Sequence, residues 1–170
     1  MSSRTLVLIR HAKAEAAAPT DHARRLSERG HADATEVGEW LRHQDLEPDL
    51  ALVSDAARTS ETWEDIATAA DWDLDAAEYT HALYAAGPTR MLELVQETSE
   101  DVRTLVLVGH NPTVSALAEF LDDGNGDEGA SAEVAAGFPT SGLAILEFDG
   151  TWEELDEAGG SVVAFHVGRG

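Results

Sequence analysis

The chain of 170 residues has no cysteine. Disulfides, thiolate nucleophiles and cysteine-ligated metals are thereby excluded. Lysine is nearly absent too. Lys13 is the single one among 11 basic residues, set against 33 acidic ones for a net charge of −22. Such a surface repels polyanions, so neither nucleic acid nor an anionic membrane is expected as a partner. Acid-rich and lysine-poor is the composition of a surface adapted to molar salt, and this halophilic reading is preferred to a surface shaped for a cationic partner. At ~1 M salt the Debye length is only ~3 Å, so the global charge would barely oppose an anionic substrate. Long apolar runs are missing as well: none approaches the ~20 residues that span a bilayer. Arg4 and Arg10 bracket a short apolar run without the layout of a signal peptide, so a cytoplasmic location is expected. The length fits one domain, residues 1–170, with a substantial core.

What is present alternates between two periods. Residues 4–9, 50–53, 104–108, 143–148 and 161–167 read as strands, the first three apolar on both faces as buried parallel strands are. Residues 28–43, 56–70, 88–99 and 112–121 read as helices, with Pro88 near one start and Asn111 as N-cap before Pro112. Residues 12–27 read as loop with at most a short helical turn. The acidic, glycine-rich stretch 122–137 reads as a loop or poorly ordered insert, and Asp149-Gly150 as a hairpin turn. The expected fold is a three-layer α/β/α sandwich around a mostly parallel sheet, with an antiparallel strand near the C-terminus.

Two strands end alike: TLVLIRH at 5–11 and TLVLVGH at 104–110. Ligands of open parallel sheets sit at the carboxyl ends of strands. If these strands are neighbours, His11 and His110 emerge side by side, with Arg10 as a permanent cation. Ser54 and Arg58 stand at the carboxyl end of the strand 50–53 and the start of the next helix. A cation near a helix N-terminus opposes the macrodipole unless an anion binds there. Two arginines, two histidines and the Asn111-Pro112 helix start describe an oxyanion site. No carboxylate is expected at the same strand ends, so no metal is expected on the histidines and no cofactor is implied.

These residues resemble the histidine phosphatase superfamily, whose first strand ends in Arg-His-Gly; here it reads Arg10-His11-Ala12. The small SixA-like branch of phosphohistidine phosphatases is the nearer likeness. RHAKAE at 10–15, Asp21 with Arg24, and Leu26-Ser27 with Gly30 follow its early pattern. Val53–Thr62 is similar to its second block, Gly109-His110-Asn111-Pro112 to its third, and Leu83-Tyr84 to a further piece. The resemblance implies that His11 accepts the phosphoryl group and that Arg10, Arg58 and His110 surround it. Arg24, Ser54, Asn111, Thr140 and Ser141 are candidate substrate-binding residues. His11 should be neutral at its attacking nitrogen, and His110 cationic beside phosphate.

Two departures bear on the substrate. Ala12 replaces glycine, which is tolerable if the residue needs no positive φ. The register that gives larger relatives a glutamate acid places Ala82 there, with His81 nearby as a candidate proton donor. A missing acid harms cleavage of alkyl phosphate esters more than of phosphoramidates, because imidazole is a better leaving group than alkoxide. The expected substrate is therefore a phosphorylated protein carrying phosphohistidine. A small phosphate-bearing metabolite, or phosphate binding without turnover, stands as the alternative.

Overall fold

The computed structural model describes residues 3–170. It contains one six-stranded sheet of order β3-β2-β4-β1-β5-β6. The strands are β1 (Ser3–Arg10), β2 (Leu50–Ser54), β3 (Ala77–Thr80), β4 (Thr104–Gly109), β5 (Gly142–Asp149) and β6 (Ser161–Val167). The four strands β1 to β4 run parallel, while β5 is antiparallel to both its neighbours. The helices are α1 (Glu28–His43), α2 (Ala57–Ala70), α3 (His81–Ala85), α4 (Pro88–Gln96), α5 (Thr113–Leu121) and α6 (Glu128–Ala136).

The period of two along the strands divides the core into halves. Leu6 and Leu8 of β1 join Leu105 and Leu107 of β4 under α4, α5 and α6. Val7, Ile9, Val106 and Val108 point the other way, under α1 and α2. Every one of these strand residues is fully buried. That is why β1 and β4 read as continuous apolar runs rather than alternating ones. Helices α1 and α2 approach closely at Gly38, where a Cβ would lie 2.4 Å from the Ile66 carbonyl oxygen.

Four expectations need correction. The stretch 122–137 is not a loop throughout, since it contains α6. Asp127 caps this helix by accepting from the Ala130 amide, and Ala130 and Val134 are buried beside Phe138. Its glycines and acids lie outside or on the solvent side, which masked two small inward residues. Asp149-Gly150 does not form a two-residue hairpin. Residues 150–160 connect β5 to β6 and bury Trp152, whose indole donates to the Val102 carbonyl at 2.8 Å. Helix α5 begins at Thr113 with Pro112 as its cap residue, after a cis Asn111-Pro112 bond. Asn111 still accepts from the Ser115 amide at 3.3 Å, so it serves the helix end from one residue further out. Finally, β3 adds an edge strand whose sequence AEYT carries no apolar run.

Candidate active site

Register places the site. Ile9 pairs with Val108 and Arg10 with Gly109, so the next residues, His11 and His110, leave the sheet at one level. The His11 amide donates to the Gly109 carbonyl at 3.1 Å, extending the ladder by one bond. The two imidazole centroids are 5.4 Å apart. On the other side of β4, Val53 of β2 also pairs with Val108. Ser54 therefore reaches the same level, and its Oγ lies 2.8 Å from His110 Nε2.

His11 is 8% exposed, and its Nδ1 donates to the Ala12 carbonyl at 2.7 Å. That bond fixes the tautomer and leaves the Nε2 lone pair free. Burial holds the His11 pKa down to about 3, against the pull of the Ala12 carbonyl; His110, Arg58 and Arg10 push it in the same direction as burial. His110 is held down to about 4, first by burial and then by Arg58. In the free protein, burial and neighbouring cations favour the neutral form of both rings, so the cationic His110 expected beside phosphate depends on the bound anion. A phosphate dianion would favour the charged form. Ala12 is buried and has no positive φ, which explains why alanine can stand in the position of glycine. Its amide is satisfied by Thr62 Oγ1 at 3.0 Å.

The arginines are held by oxygens on their outer edges. Arg10 donates to the Phe138 carbonyl at 2.9 Å. Arg58 is buried and donates to Asp21 twice, to the carbonyl at 2.8 Å and to Oδ2 at 3.0 Å. Arg10 Nε, Arg58 Nε and His110 Nδ1 are buried donors with no partner among the described residues. Three unsatisfied donors around the histidine pair cost stability and fit an anion-binding site. Ser141 contributes another buried, unpartnered group through Oγ, while its amide donates to the His11 carbonyl at 3.1 Å.

The remaining candidates have other neighbours. Arg24 donates to Asp21 Oδ1 at 3.0 Å and to the Glu15 carbonyl at 2.8 Å. Asn111 donates to the same Phe138 carbonyl as Arg10, at 2.9 Å. Its side chain holds the acceptor that positions Arg10. Thr140 lies on a different cavity of about 380 Å³, beside Lys13, Arg29, Asp33 and Arg169. Gly30 explains the Leu-Ser-x-x-Gly spacing, because a Cβ there would lie 2.0 Å from the Lys13 carbonyl oxygen.

Sequence reasoning missed a second layer beside the histidine pair. Asp21 gathers Arg58, Arg24 and the Tyr84 hydroxyl, the last at 2.7 Å. The hydrogen bonds from Tyr84, Arg24 and Arg58 hold its carboxyl well below the usual carboxylate range. Tyr84 meets His110 edge-on, with centroids 5.5 Å apart. The strand ends do carry a carboxylate, contrary to expectation: Asp55 follows Ser54 and contacts His22 and His81.

A model of the histidine phosphatase superfamily (branch 1) matches residues 6–83. An uncharacterized protein of Mycobacterium tuberculosis is 39% identical over 166 residues, covering 95% of this chain and all of the relative. A protein of Nakamurella multipartitia proposed to be the phosphohistidine phosphatase SixA superposes with a TM-score of 0.85 at 32% identity, over 99% of this chain and 98% of that one. One of Agrobacterium tumefaciens, also proposed to be SixA, gives 0.77 at 34%, over 95% and 97%. Paired strand-end histidines, arginines at the same sheet edge and likeness over nearly the whole chain agree: this protein belongs to the histidine phosphatase superfamily, in its SixA-like branch, and is a histidine-type phosphatase.

Proposed function

We propose that the protein hydrolyses phosphohistidine in a protein substrate, through a phosphoryl intermediate on His11. The observation that carries this reading is the bond from His11 Nδ1 to the Ala12 carbonyl, which leaves Nε2 unprotonated in a pocket edged by cations. In the first step Nε2 attacks phosphorus as the bond to the substrate imidazole breaks, and that imidazole takes up a proton from solvent. In the second step water attacks the phosphorus. The bond to Nε2 breaks, inorganic phosphate leaves, and the water proton passes to solvent. The loose transition state spreads charge over three equatorial oxygens. Arg10, Arg58 and His110 supply donors for them, and pre-positioned donors contribute most when they need not reorient during the reaction. Ser54 orients His110, Asp21 orients Arg58, and Ser141 offers a further hydroxyl.

The preference for phosphohistidine rests on two features. Ala82 stands in the register where larger relatives have an acid, and it offers no proton. Helix α6 packs into the core beside α5 and β6, so the insert after α5 is used for packing rather than as a cap. Rates on a phosphohistidine protein and on a sugar phosphate, measured side by side, test the choice. The phosphohistidine protein should turn over faster. Faster turnover of the sugar phosphate would instead identify a small-metabolite phosphomonoesterase.

A further inference from the structure

Four of the seven histidines lie in one connected group with Tyr84. The phosphatase chemistry uses His11 and His110. It draws on neither His22 nor His81, the candidate proton donor, and both face the same carboxylate. His22 Nε2 lies 2.8 Å from Asp55 Oδ1, and His81 Nδ1 lies 3.2 Å from each Asp55 oxygen. We propose that His22, Asp55 and His81 form a binding site for a divalent transition-metal ion of the Zn²⁺ class at the rim of the phosphate pocket.

The geometry supports an ion. One ligand atom from each of the three residues can be chosen so that all lie within 4.8 Å of one another. Tetrahedral zinc with bonds near 2.1 Å separates its ligands by about 3.4 Å. The 3.2 Å between His81 and Asp55 is already close to that value, the 2.8 Å between His22 and Asp55 must open slightly, and the third separation closes by a turn of the exposed His81 ring. The ligands come from three segments that meet only in the fold: the loop before α1, the end of β2 and the end of β3. Their backbones are fixed by bonds that leave the ligating atoms free. The Ala57 amide donates to the His22 carbonyl at 3.0 Å, and the Asp55 amide to the Thr80 carbonyl at 3.3 Å. Thr80 also caps α3, which begins with His81. Tyr84 forms an aromatic wall, with its centroid 4.8 Å from that of His22 and 5.4 Å from that of His81.

Ligand chemistry selects the ion. Two imidazoles and one carboxylate suit Zn²⁺ and its first-row neighbours, whereas Mg²⁺ and Ca²⁺ prefer oxygen-only sites. A net charge of −22 raises the local concentration of any divalent cation. Three protein ligands leave a fourth position for water or a substrate oxygen, the layout of an exchangeable site rather than a closed structural one. Asp55 directly follows Ser54, which touches His110, so the ion would stand beside the phosphate-binding groups.

Calorimetric titration of the metal-free protein with Zn²⁺ tests the site, and Co²⁺ provides a visible absorption readout. One ion per chain is expected, with no comparable binding of Mg²⁺. His22→Ala, Asp55→Asn and His81→Ala should each weaken Zn²⁺ binding by at least about tenfold, since even outer-shell changes cost that much. His43→Ala, which removes an exposed imidazole at the end of α1, should leave it unchanged. Far-UV circular dichroism checks that each variant is folded, and His81→Gln serves if an alanine variant is not. Absence of one-to-one binding, or binding that survives all three ligand substitutions, would overturn the proposal. Because the readout is binding alone, it is independent of whether His11 carries phosphate.

Discussion

At the scale of single residues, the site depends on protonation. His11 and His110 are held to about 3 and about 4, mainly by burial, so neither ring is charged in the free protein near neutrality. Since kcat/KM reports ionisations of the free enzyme, its acid limb should not fall near 6.5, the ordinary histidine value. Once substrate ionisation is allowed for, the rate should stay level down to about pH 5 and drop at lower pH as the attacking nitrogen of His11 takes up a proton. Stability has a matching sign. Both folded values lie below 6.5, so the unfolded chain binds more protons across that window. The stabilisation is therefore complete above about pH 6.5 and is lost as pH falls through 4 towards 3. Urea midpoints at pH 7 and pH 5 check this, and equal midpoints would contradict it. The core of the site was legible at this scale. Arg10, His11, Arg58 and His110 carry motif positions whose chemistry can be argued residue by residue. Asp21, Tyr84 and Asp55 were not assigned, because what they do depends on partners far away in the chain. The Asp21–Tyr84 bond spans 63 positions.

At the scale of elements, strands were easier to read than small helices. Both β1 and β4 are apolar on both faces because helices cover both, and that continuity shows directly in the letters. Helix α6 offered only Ala130 and Val134 to the core amid glycine and acid, too little to form a periodic pattern. Strand β3 lies at the sheet edge and pairs on one side only, with β2. It needs no apolar run and shows none. The α1–α2 contact gives a prediction at this scale. Alanine is the better helix former by ~1 kcal/mol, so propensity alone favours Gly38→Ala. The new Cβ would meet the Ile66 carbonyl oxygen at 2.4 Å and the Ala69 Cβ at 2.7 Å. Backbone cannot yield as a side chain can, and overpacking costs ~1–3 kcal/mol. The clash should win, leaving Gly38→Ala ~1–2 kcal/mol less stable by urea denaturation with an unchanged m value. Equal or greater stability would show that the two helices can move apart at little cost.

At the scale of the whole molecule, charge is the governing quantity. Thirty-three acidic residues against 11 basic ones make the folded surface repel itself. The cations are unevenly spread: Arg10, Arg24 and Arg58 are gathered near the histidine pair, where an anion would be received. Salt screens the surface charges more than the buried site. The melting temperature should therefore rise between 0.1 and 2 M NaCl, reporting relief of self-repulsion. A melting temperature that stays flat or falls would indicate that the exposed ion pairs, such as Arg25 with Glu61, matter more than the net charge. Composition made the excess charge plain from the outset. The placement of the few cations could be seen only after the fold had brought the strand ends together.

In the proposed reaction one nitrogen, His11 Nε2, carries the phosphoryl group between substrate and water. The most direct test is rapid quenching of a turnover with ³²P-labelled phosphohistidine protein into alkaline denaturant, which preserves phosphoramidate bonds, followed by mapping of the label. Label is expected on His11 in the wild-type chain and none in a folded His11→Ala variant, which should also lose activity by at least ~10³-fold. Undiminished turnover by His11→Ala, or label mapped to another residue, would contradict it.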